Sequence, residues 1–240
     1  MIRTVAETGS TNADLMALAA TGVDEGFWLR AERQSAGRGR QGRDWVSAPG
    51  NLYASTIVRL RATDPAPATL ALVAAVALAE TVGLYLGQSR HGRAQAGLRI
   101  KWPNDLLVDG AKLSGILLER SGDAVVVGIG VNLAHHPAVE GRLTTSLAAH
   151  GVTVDPADFL ETLAETFARW RDRWRHEGVG VIRSQWLARA HPVGTALTAR
   201  LPDGEAIDGL FDGMNSDGAL ILRLADGRQR VIHAGDVFVI

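Results

Sequence analysis

The 240-residue sequence contains no cysteine. This absence excludes disulfide bonds, thiolate nucleophiles and zinc or iron–sulfur sites with cysteine ligands. It also suits a reducing compartment, so we expect a cytoplasmic protein. The net charge is also small, because 25 lysines and arginines nearly balance 26 aspartates and glutamates, and the formal net charge is −1 at pH 7. A global basic field that attracts nucleic acid is therefore excluded, and any anion-binding site must be local.

Long hydrophobic runs are also missing. The longest apolar stretch, Leu70 to Ala79, is too short to span a bilayer, so we interpret it as a buried helix. The first residues, Met1 to Glu7, lack the basic-then-apolar order of a signal peptide. We therefore expect no membrane association. With 46% hydrophobic and 21% charged residues, the composition is that of a globular protein with a full core.

The patterning of apolar residues and turns predicts an α+β fold. Several strand-like runs follow one another closely, and such short connections favour antiparallel hairpins over βαβ crossovers. The predicted strands are Gly26 to Gln34, Asn51 to Leu60, Leu98 to Trp102, Lys112 to Glu119 and Ala124 to Leu133. Helices are predicted at about 13–20, at about 67–86 and from Asp155 onward, the last with a core stripe of Phe159, Leu163, Phe167, Trp170 and Trp174.

The texture of the sequence changes after His191-Pro192. Short strand-like runs separated by Asp-Gly turns predict a small SH3-like β-barrel there. We place a larger domain at residues 1–189 and the barrel at residues 190–240. The polar segment Gln88 to Gly97 is predicted to be a loop, and the sequence assigns it no role.

The segment Gly37-Arg38-Gly39-Arg40-Gln41-Gly42-Arg43-Asp44-Trp45 combines glycine, arginine and tryptophan. Glycines let backbone N–H groups approach an anion without a Cβ in the way, and guanidinium groups match phosphate or carboxylate bidentately. Trp45 is suited to cover a base or to seal a closed loop. The segment therefore predicts a flexible anion-binding loop. Its alternative, the Arg-Gly tail of an RNA-binding protein, conflicts with the globular composition.

Other binding motifs do not fit the sequence. No Gly-Lys-Ser/Thr follows the glycines, so the loop is not a Walker A motif. Its arginines would crowd the pyrophosphate turn of a Rossmann fold, and no βαβ unit surrounds it. His135 and His136 are adjacent and so point apart on an extended chain, without an evident third ligand. We predict no metal site built by the protein.

Five segments taken in order resemble the biotin protein ligases. They are Ser10-Thr11-Asn12, Gln34 to Trp45, Lys101-Trp102-Pro103-Asn104-Asp105, Lys112 to Glu119 and Gly128-Ile129-Gly130-Val131-Asn132. The resemblance covers essentially the whole chain, including the barrel. It implies a class II synthetase-like catalytic domain that binds biotin and ATP, with a mixed, largely antiparallel central sheet and flanking helices. It also implies that biotin is activated with ATP and Mg²⁺ to biotinyl-5′-AMP and transferred to a lysine of a biotin carboxyl carrier protein.

The resemblance also assigns roles to residues. The implied biotin-binding residues are Ser10, Thr11, Asn12, Gln34, Arg38, Gly39, Arg40, Lys112 and Gly115. The implied nucleotide-binding residues are Arg38, Arg40, Arg43, Trp45, Asn104, Lys112 and Asn132. The implied catalytic residues are Lys112, Arg40, Arg43 and Asp105, of which Lys112 contacts both the biotin carboxylate and the α-phosphate. Tyr53 is a weaker candidate for the wall of the biotin pocket.

Simpler structural interpretations stay open for some of these residues. Ser10 and Thr11 are also typical helix caps, and Asn104 with Asp105 also fits an ordinary turn. Trp45 is equally suited to anchor its loop in the core. Asp105 is suited either to orient or to deprotonate the incoming lysine.

Two other functions remain as alternatives. A lipoate-protein ligase or transferase shares the fold and the lysine, and a non-enzymatic RNA-binding protein would place the arginines of the loop on phosphates. Some family members carry an N-terminal helix-turn-helix domain and repress transcription. Only nine residues precede Ser10, so we expect no such domain and no DNA binding. Homodimers formed through an edge strand are known in the family, and a homodimer stays open here.

Overall fold

The structure is a computed structural model that describes residues 1–87 and 97–240. Its larger sheet has seven strands in the order β1-β2-β3-β7-β6-β5-β4. The strands are β1 (Ile2–Thr8), β2 (Trp28–Gln34), β3 (Leu52–Arg59), β4 (Leu98–Lys101), β5 (Asp105–Val108), β6 (Ala111–Ser121) and β7 (Ala124–Val131). Only β1 and β2 pair in parallel, and the other neighbours are antiparallel. The predicted mixed, largely antiparallel sheet is confirmed.

Two strands and one helix were not predicted. The strand β1 is an edge strand with mostly exposed side chains, so it carries little hydrophobic alternation. The strand β5 has only four residues and begins at Asp105, which the sequence places in a turn. The helices are α1 (Thr11–Ala20), α2 (Leu70–Gly87), α3 (Pro156–Glu177) and α4 (Val179–Leu187), and α4 follows α3 directly at Gly178.

A second sheet forms the C-terminal part. Its strands are β8 (Ala196–Arg200), β9 (Ala206–Met214), β10 (Leu220–Arg223), β11 (Gln229–Ile232) and β12 (Asp236–Val239). Their order is β11-β10-β9-β8-β12, and every pair is antiparallel. This sheet fits the predicted SH3-like barrel, while the boundary at residue 190 stays a prediction.

The core lies between the larger sheet and helices α2 and α3. The predicted stripe on α3 is confirmed, with exposures of 0% for Phe159 and Leu163, 2% for Phe167, 3% for Trp170 and 0% for Trp174. By length and composition, Pro67–Gly87 is apolar enough to cross a membrane, yet 72% of its apolar window is buried inside the protein. That burial is typical of a core helix. Of the predicted loop 88–97, residues 88–96 lie outside the described residues.

Candidate functional site

A cavity of about 680 Å³ lies on one face of the larger sheet, and β12 of the barrel contributes to its wall. This volume falls in the range of small-molecule sites. All the residues nominated from the sequence line it: Ser10, Thr11, Asn12, Gln34, Arg38, Gly39, Arg40, Arg43, Trp45, Tyr53, Asn104, Asp105, Lys112, Gly115 and Asn132. Another cavity of about 530 Å³, near Arg59 and Asp123, contains none of them. The nominated residues are therefore neighbours, while their roles toward ligands remain predictions.

The floor of the cavity is a patch of sheet with small side chains. Because side chains alternate along a strand, Gly115 of β6 and Gly130 of β7 lie side by side in register. A Cβ at Gly130 would lie 2.6 Å from the Trp45 ring, and one at Gly115 would lie 3.0 Å from it. The indole therefore rests on bare backbone. Its buried Nε1 has no hydrogen-bond partner among the described residues, and the ring covers the floor of the cavity.

The neutral polar end of the cavity is built where α1 begins. Ser10 is the N-cap, and its Oγ accepts from the backbone N–H of Ala13 at 3.5 Å. The backbone N–H of Thr11 donates to Gln34 Oε1 at 2.9 Å, and Thr11 Oγ1 lies 3.1 Å from the same oxygen. The helix cap and the cavity wall are thus the same residues. The helix-cap interpretation and the predicted binding role of Ser10 are therefore compatible.

Two residues of this polar end were missed from the sequence. Ser55 of β3 lies 2.6 Å from Asn12 Oδ1, and Glu119 of β6 accepts from Asn12 Nδ2 at 2.8 Å. A Cβ at Gly128 would lie 2.2 Å from Asn12 Oδ1, so only glycine leaves room for Asn12. A polar residue in the middle of a buried strand was the available signal for Ser55.

The glycine-arginine segment is folded on itself. Its backbone forms a narrow hairpin in which Gly39 N–H donates to Arg43 O at 2.7 Å and Trp45 N–H donates to Gly37 O at 2.9 Å. A Cβ at Gly37 would lie 2.5 Å from Trp45 O. Glycine at this position is therefore required by close backbone approach. The hairpin sets the direction in which its arginine side chains point.

Arg40 and Arg43 of the hairpin are held by the barrel. Arg43 Nη2 donates to Asp236 Oδ2 at 2.7 Å, and Arg40 Nη1 lies 3.7 Å from Asp236 Oδ1. Arg40 also donates to Asn104 Oδ1 at 3.1 Å and to Gly235 O at 3.2 Å. Burial lowers the pKa of the Arg40 guanidinium below its usual range. Asp236 lies 193 residues from Arg43, and no sequence signal pointed to it.

Two lysines stand at the centre of the cavity. Lys112 Nζ lies 2.6 Å from Asp105 Oδ1 and 5.6 Å from the centroid of the Trp45 ring. Lys101 Nζ lies 5.3 Å from the centroid of the Phe238 ring, and burial lowers the pKa of Lys101 below its usual 10.5. Sequence reasoning gave Lys101 no role. The rarity of lysine was the available signal for Lys101, because the chain has two lysines, Lys101 and Lys112. Both line the cavity.

The remaining nominated residues are anchored in the fold. Asn104 Nδ2 donates to Ile116 O at 2.6 Å, and Asn132 Nδ2 donates to Thr145 O at 3.0 Å. Tyr53 donates its hydroxyl proton to Ala48 O at 2.7 Å, and burial raises the pKa of Tyr53 to about 12. These side chains are therefore preorganised. Within residues 1–87 and 97–240, no cluster of three or more histidine, aspartate or glutamate side chains is arranged to hold a metal ion.

Comparisons with known proteins identify the family of the chain. A model of the Biotin/lipoate A/B protein ligase family matches residues 8–133, and one of the biotin protein ligase C-terminal domain matches residues 194–239. A Biotin--[acetyl-CoA-carboxylase] ligase of Paracoccus denitrificans is 45% identical, over 98% of each chain. One of Mycobacterium tuberculosis is 37% identical, over 97% of this chain and 86% of the relative.

Solved structures give the same result for the fold. The biotin protein ligase of Aquifex aeolicus in complex with biotin and ATP has a TM-score of 0.83 at 24% identity, covering 100% of this chain and 98% of the other. That of Leishmania major in complex with biotin has a TM-score of 0.68 at 27% identity, covering 97% and 98%. Sequence, domain composition and fold agree, and the chain belongs to the biotin protein ligases.

Proposed function

We propose that this protein is a biotin–protein ligase that activates biotin with ATP and transfers the biotinyl group to a lysine of a biotin carboxyl carrier protein. The observation that carries the proposal is the cavity of about 680 Å³, in which a neutral hydrogen-bonding end adjoins a cationic end. The 45% identity to a Biotin--[acetyl-CoA-carboxylase] ligase over 98% of the chain supports it. Arg40 and Arg43 of the hairpin lie in this cavity beside Asp236, which leaves the RNA-binding alternative without support.

The neutral end suits the ureido ring of biotin. Ser10, Thr11 and Asn12 are 6%, 4% and 3% exposed, so their polar atoms are shielded from bulk water. A buried polar site pairs best with a ligand that supplies the matching donors and acceptors, since an unpaired buried group costs about 1–3 kcal/mol. A ureido group has two N–H donors and one carbonyl acceptor and carries no charge. The side chains of Ser10, Thr11 and Asn12 are uncharged as well.

The cationic end suits the activation step. A carboxylate oxygen of biotin attacks the α-phosphorus of ATP, the bond to the β-phosphate oxygen breaks, and pyrophosphate leaves. Two anions must approach each other, and a fixed ammonium offsets their repulsion and stabilises charge on the non-bridging oxygens. We assign this task to Lys112, with Arg40 and Arg43 on the phosphates. Mg²⁺ arrives with ATP as part of the substrate.

The transfer step uses the same cavity. The amine of the acceptor lysine attacks the carbonyl carbon of biotinyl-5′-AMP, AMP leaves with its phosphate oxygen, and the amine loses a proton. Asp105 is the carboxylate beside Lys112, and we assign it the orientation of the amine or the acceptance of its proton. Trp45 and its hairpin cover the intermediate and exclude water, which would hydrolyse the mixed anhydride.

The remaining expectations belong to the same proposal. The carrier is the biotin-accepting domain of a carboxylase, the protein acts in the cytoplasm, and it has no DNA-binding role. A homodimer would form by pairing of edge strands, for which β1 offers an outer edge with no partner strand in the described chain.

The proposal is tested by mixing the purified protein with biotin, MgATP and a biotin carboxyl carrier domain, and weighing the carrier by mass spectrometry. We expect a mass increase of one biotinyl group on the carrier. Lipoate serves as a parallel substrate, and a gain with lipoate alone would move the protein to the lipoate ligases. Because the chain has only Lys101 and Lys112, self-modification is separable from transfer by peptide mapping. Absence of transfer and of adenylate formation would refute the proposal.

A further inference from the structure

A line of polar groups continues from the cavity wall into the sheet. Thr11, Asn12 and Ser55 are 4%, 3% and 0% exposed. Ser55 Oγ lies 2.8 Å from Thr11 Oγ1 and 2.6 Å from Asn12 Oδ1. Asn12 Nδ2 then donates to Glu119 Oε2 at 2.8 Å. The line thus ends on an acidic side chain of β6 that none of the steps above uses.

The acidic end fixes the orientation of the Asn12 amide. A carboxylate only accepts hydrogen bonds, so the amide nitrogen must face Glu119 and the amide oxygen must face Ser55. A flipped amide would set two acceptors against each other at the 2.8 Å contact. The Leu117 carbonyl, 3.5 Å from Asn12 Nδ2, favours the same orientation.

Proton counting then sets the direction of the other bonds. Ser55 has one hydroxyl proton, and its shorter contact is the 2.6 Å distance to the Asn12 amide oxygen, which cannot donate. The proton of Ser55 therefore goes to Asn12. Thr11 Oγ1 then faces two possible acceptors for its one proton, Ser55 Oγ at 2.8 Å and Gln34 Oε1 at 3.1 Å. Gln34 Oε1 already accepts from the backbone N–H of Thr11 at 2.9 Å, whereas the shorter contact to Ser55 has no other proton. The Thr11 proton therefore goes to Ser55, and a lone pair of Thr11 Oγ1 is left to accept from a ligand.

We propose that Glu119 is a positioning residue that acts through Asn12 and Ser55 to make Thr11 an acceptor for a ureido N–H of biotin. The inference rests on the proposed function. Each donor in the line points toward the carboxylate, and hydrogen bonds arranged in this way polarise one another in a low-dielectric interior. The end bond to an anion is also a charge-assisted one.

The charge of Glu119 is not isolated. Arg38 Nη1 lies 3.6 Å from Glu119 Oε1, and the two side chains are 45% and 30% exposed. A half-exposed pair of this kind contributes little to stability. The pair places the carboxylate end of the line beside the hairpin.

The test is a double-mutant cycle for the adenylation reaction with Glu119→Ala and Asn12→Ala. Glu119→Ala is expected to raise the KM for biotin about tenfold, the size of one lost hydrogen bond, with the KM for ATP and the kcat at saturating biotin unchanged. Adding Glu119→Ala to Asn12→Ala is expected to change nothing further, since a residue that acts through another shows full coupling. Glu119→Gln keeps an acceptor without charge and is expected to fall between wild type and Glu119→Ala.

Arg120→Ala is the matched control, because Arg120 is exposed on the same strand and, within the described residues, its side chain donates to Gly122 O. An unchanged biotin KM, additive effects in the double variant, or an equal rise in the KM for ATP would overturn the role of Glu119. Should Glu119→Ala fail to fold, the same criteria apply to Glu119→Gln. A wild-type protein that does not adenylate biotin would refute the proposed function itself, whereas an active wild type with an unaffected Glu119 variant would refute this inference alone.

Discussion

Lys112 Nζ and Asp105 Oδ1 lie 2.6 Å apart on adjacent strands β6 and β5. The pairing of the two strands shifts register between Leu106 and Leu107. Asp105 lies on one side of this shift and Lys112 on the other, so the two charged side chains meet across a β-bulge. Their side chains are 23% and 15% exposed. Each charge therefore has a partner within the protein, and bound anions must compete with Asp105 for Lys112.

Lys112→Ala is expected to lower the adenylation rate by about 10²–10³-fold, the typical cost of losing one preorganised group at a developing charge. Release of pyrophosphate in the presence of biotin and ATP measures the adenylation rate.

Asp105→Asn removes the carboxylate that pairs with Lys112 but keeps the size of the side chain, and it is expected to impair transfer to the carrier more than adenylation. Equal loss of both steps in Asp105→Asn would contradict the assignment of Asp105 to the incoming lysine.

Gly128→Ala is expected to weaken biotin binding at least about tenfold, because the new Cβ would lie 2.2 Å from Asn12 Oδ1 and overpacking of this kind costs about 1–3 kcal/mol. Isothermal titration calorimetry with biotin measures the change. Gly180→Ala is the control, since a Cβ at Gly180 meets nothing within 4 Å. A biotin affinity equal to that of the wild-type protein would show that biotin binding does not depend on the position of Asn12.

Asp236→Asn is expected to raise the KM for ATP several-fold, because Arg40 and Arg43 lose the carboxylate that orients both guanidinium groups. The KM for biotin should change less. Asp226→Asn is the matched control, since Asp226 also pairs with an arginine at 2.7 Å but does not line the cavity. A lowered KM for ATP in Asp236→Asn would instead mean that Asp236 competes with the phosphates.

His191 is expected to make stability depend on pH. Burial, together with the positive charges of Lys101 and Arg99, lowers the pKa of His191 below its usual 6.5. As the pH falls through 6.5, His191 therefore takes up a proton in the unfolded chain before it does so in the folded chain. The contribution of His191 to the free energy of unfolding is thus complete above pH 6.5 and is lost as the pH drops below that value. Melting temperatures between pH 7.5 and 5.5 measure the effect, and His191→Asn should flatten the profile. An identical profile in the variant would assign the dependence to other groups.

The sequence itself determined what depends on neighbours along the chain. The apolar stripe of α3 from Phe159 to Trp174 is visible in the sequence because side chains on one face of a helix recur every three or four residues. The larger sheet was predicted to be largely antiparallel because the connections between its strands are short. The cavity residues were nominated because compact segments such as Ser10-Thr11-Asn12 resemble those of the biotin protein ligases. The weak points were also local: β1 is an exposed edge strand, and β5 is too short to stand out from its turn.

The tertiary structure alone decided which distant groups complete the site. Glu119 meets Asn12 across 107 residues, and Asp236 meets Arg43 across 193 residues. Neither acid has a local pattern that distinguishes it from an acid on the surface, because its partner is set by sheet register and by the packing of the barrel on the larger domain. The sequence by itself thus determined the family and the chemistry of the cavity, whereas the ion pairs and the direction of the buried hydrogen bonds follow from distances that only the folded chain has.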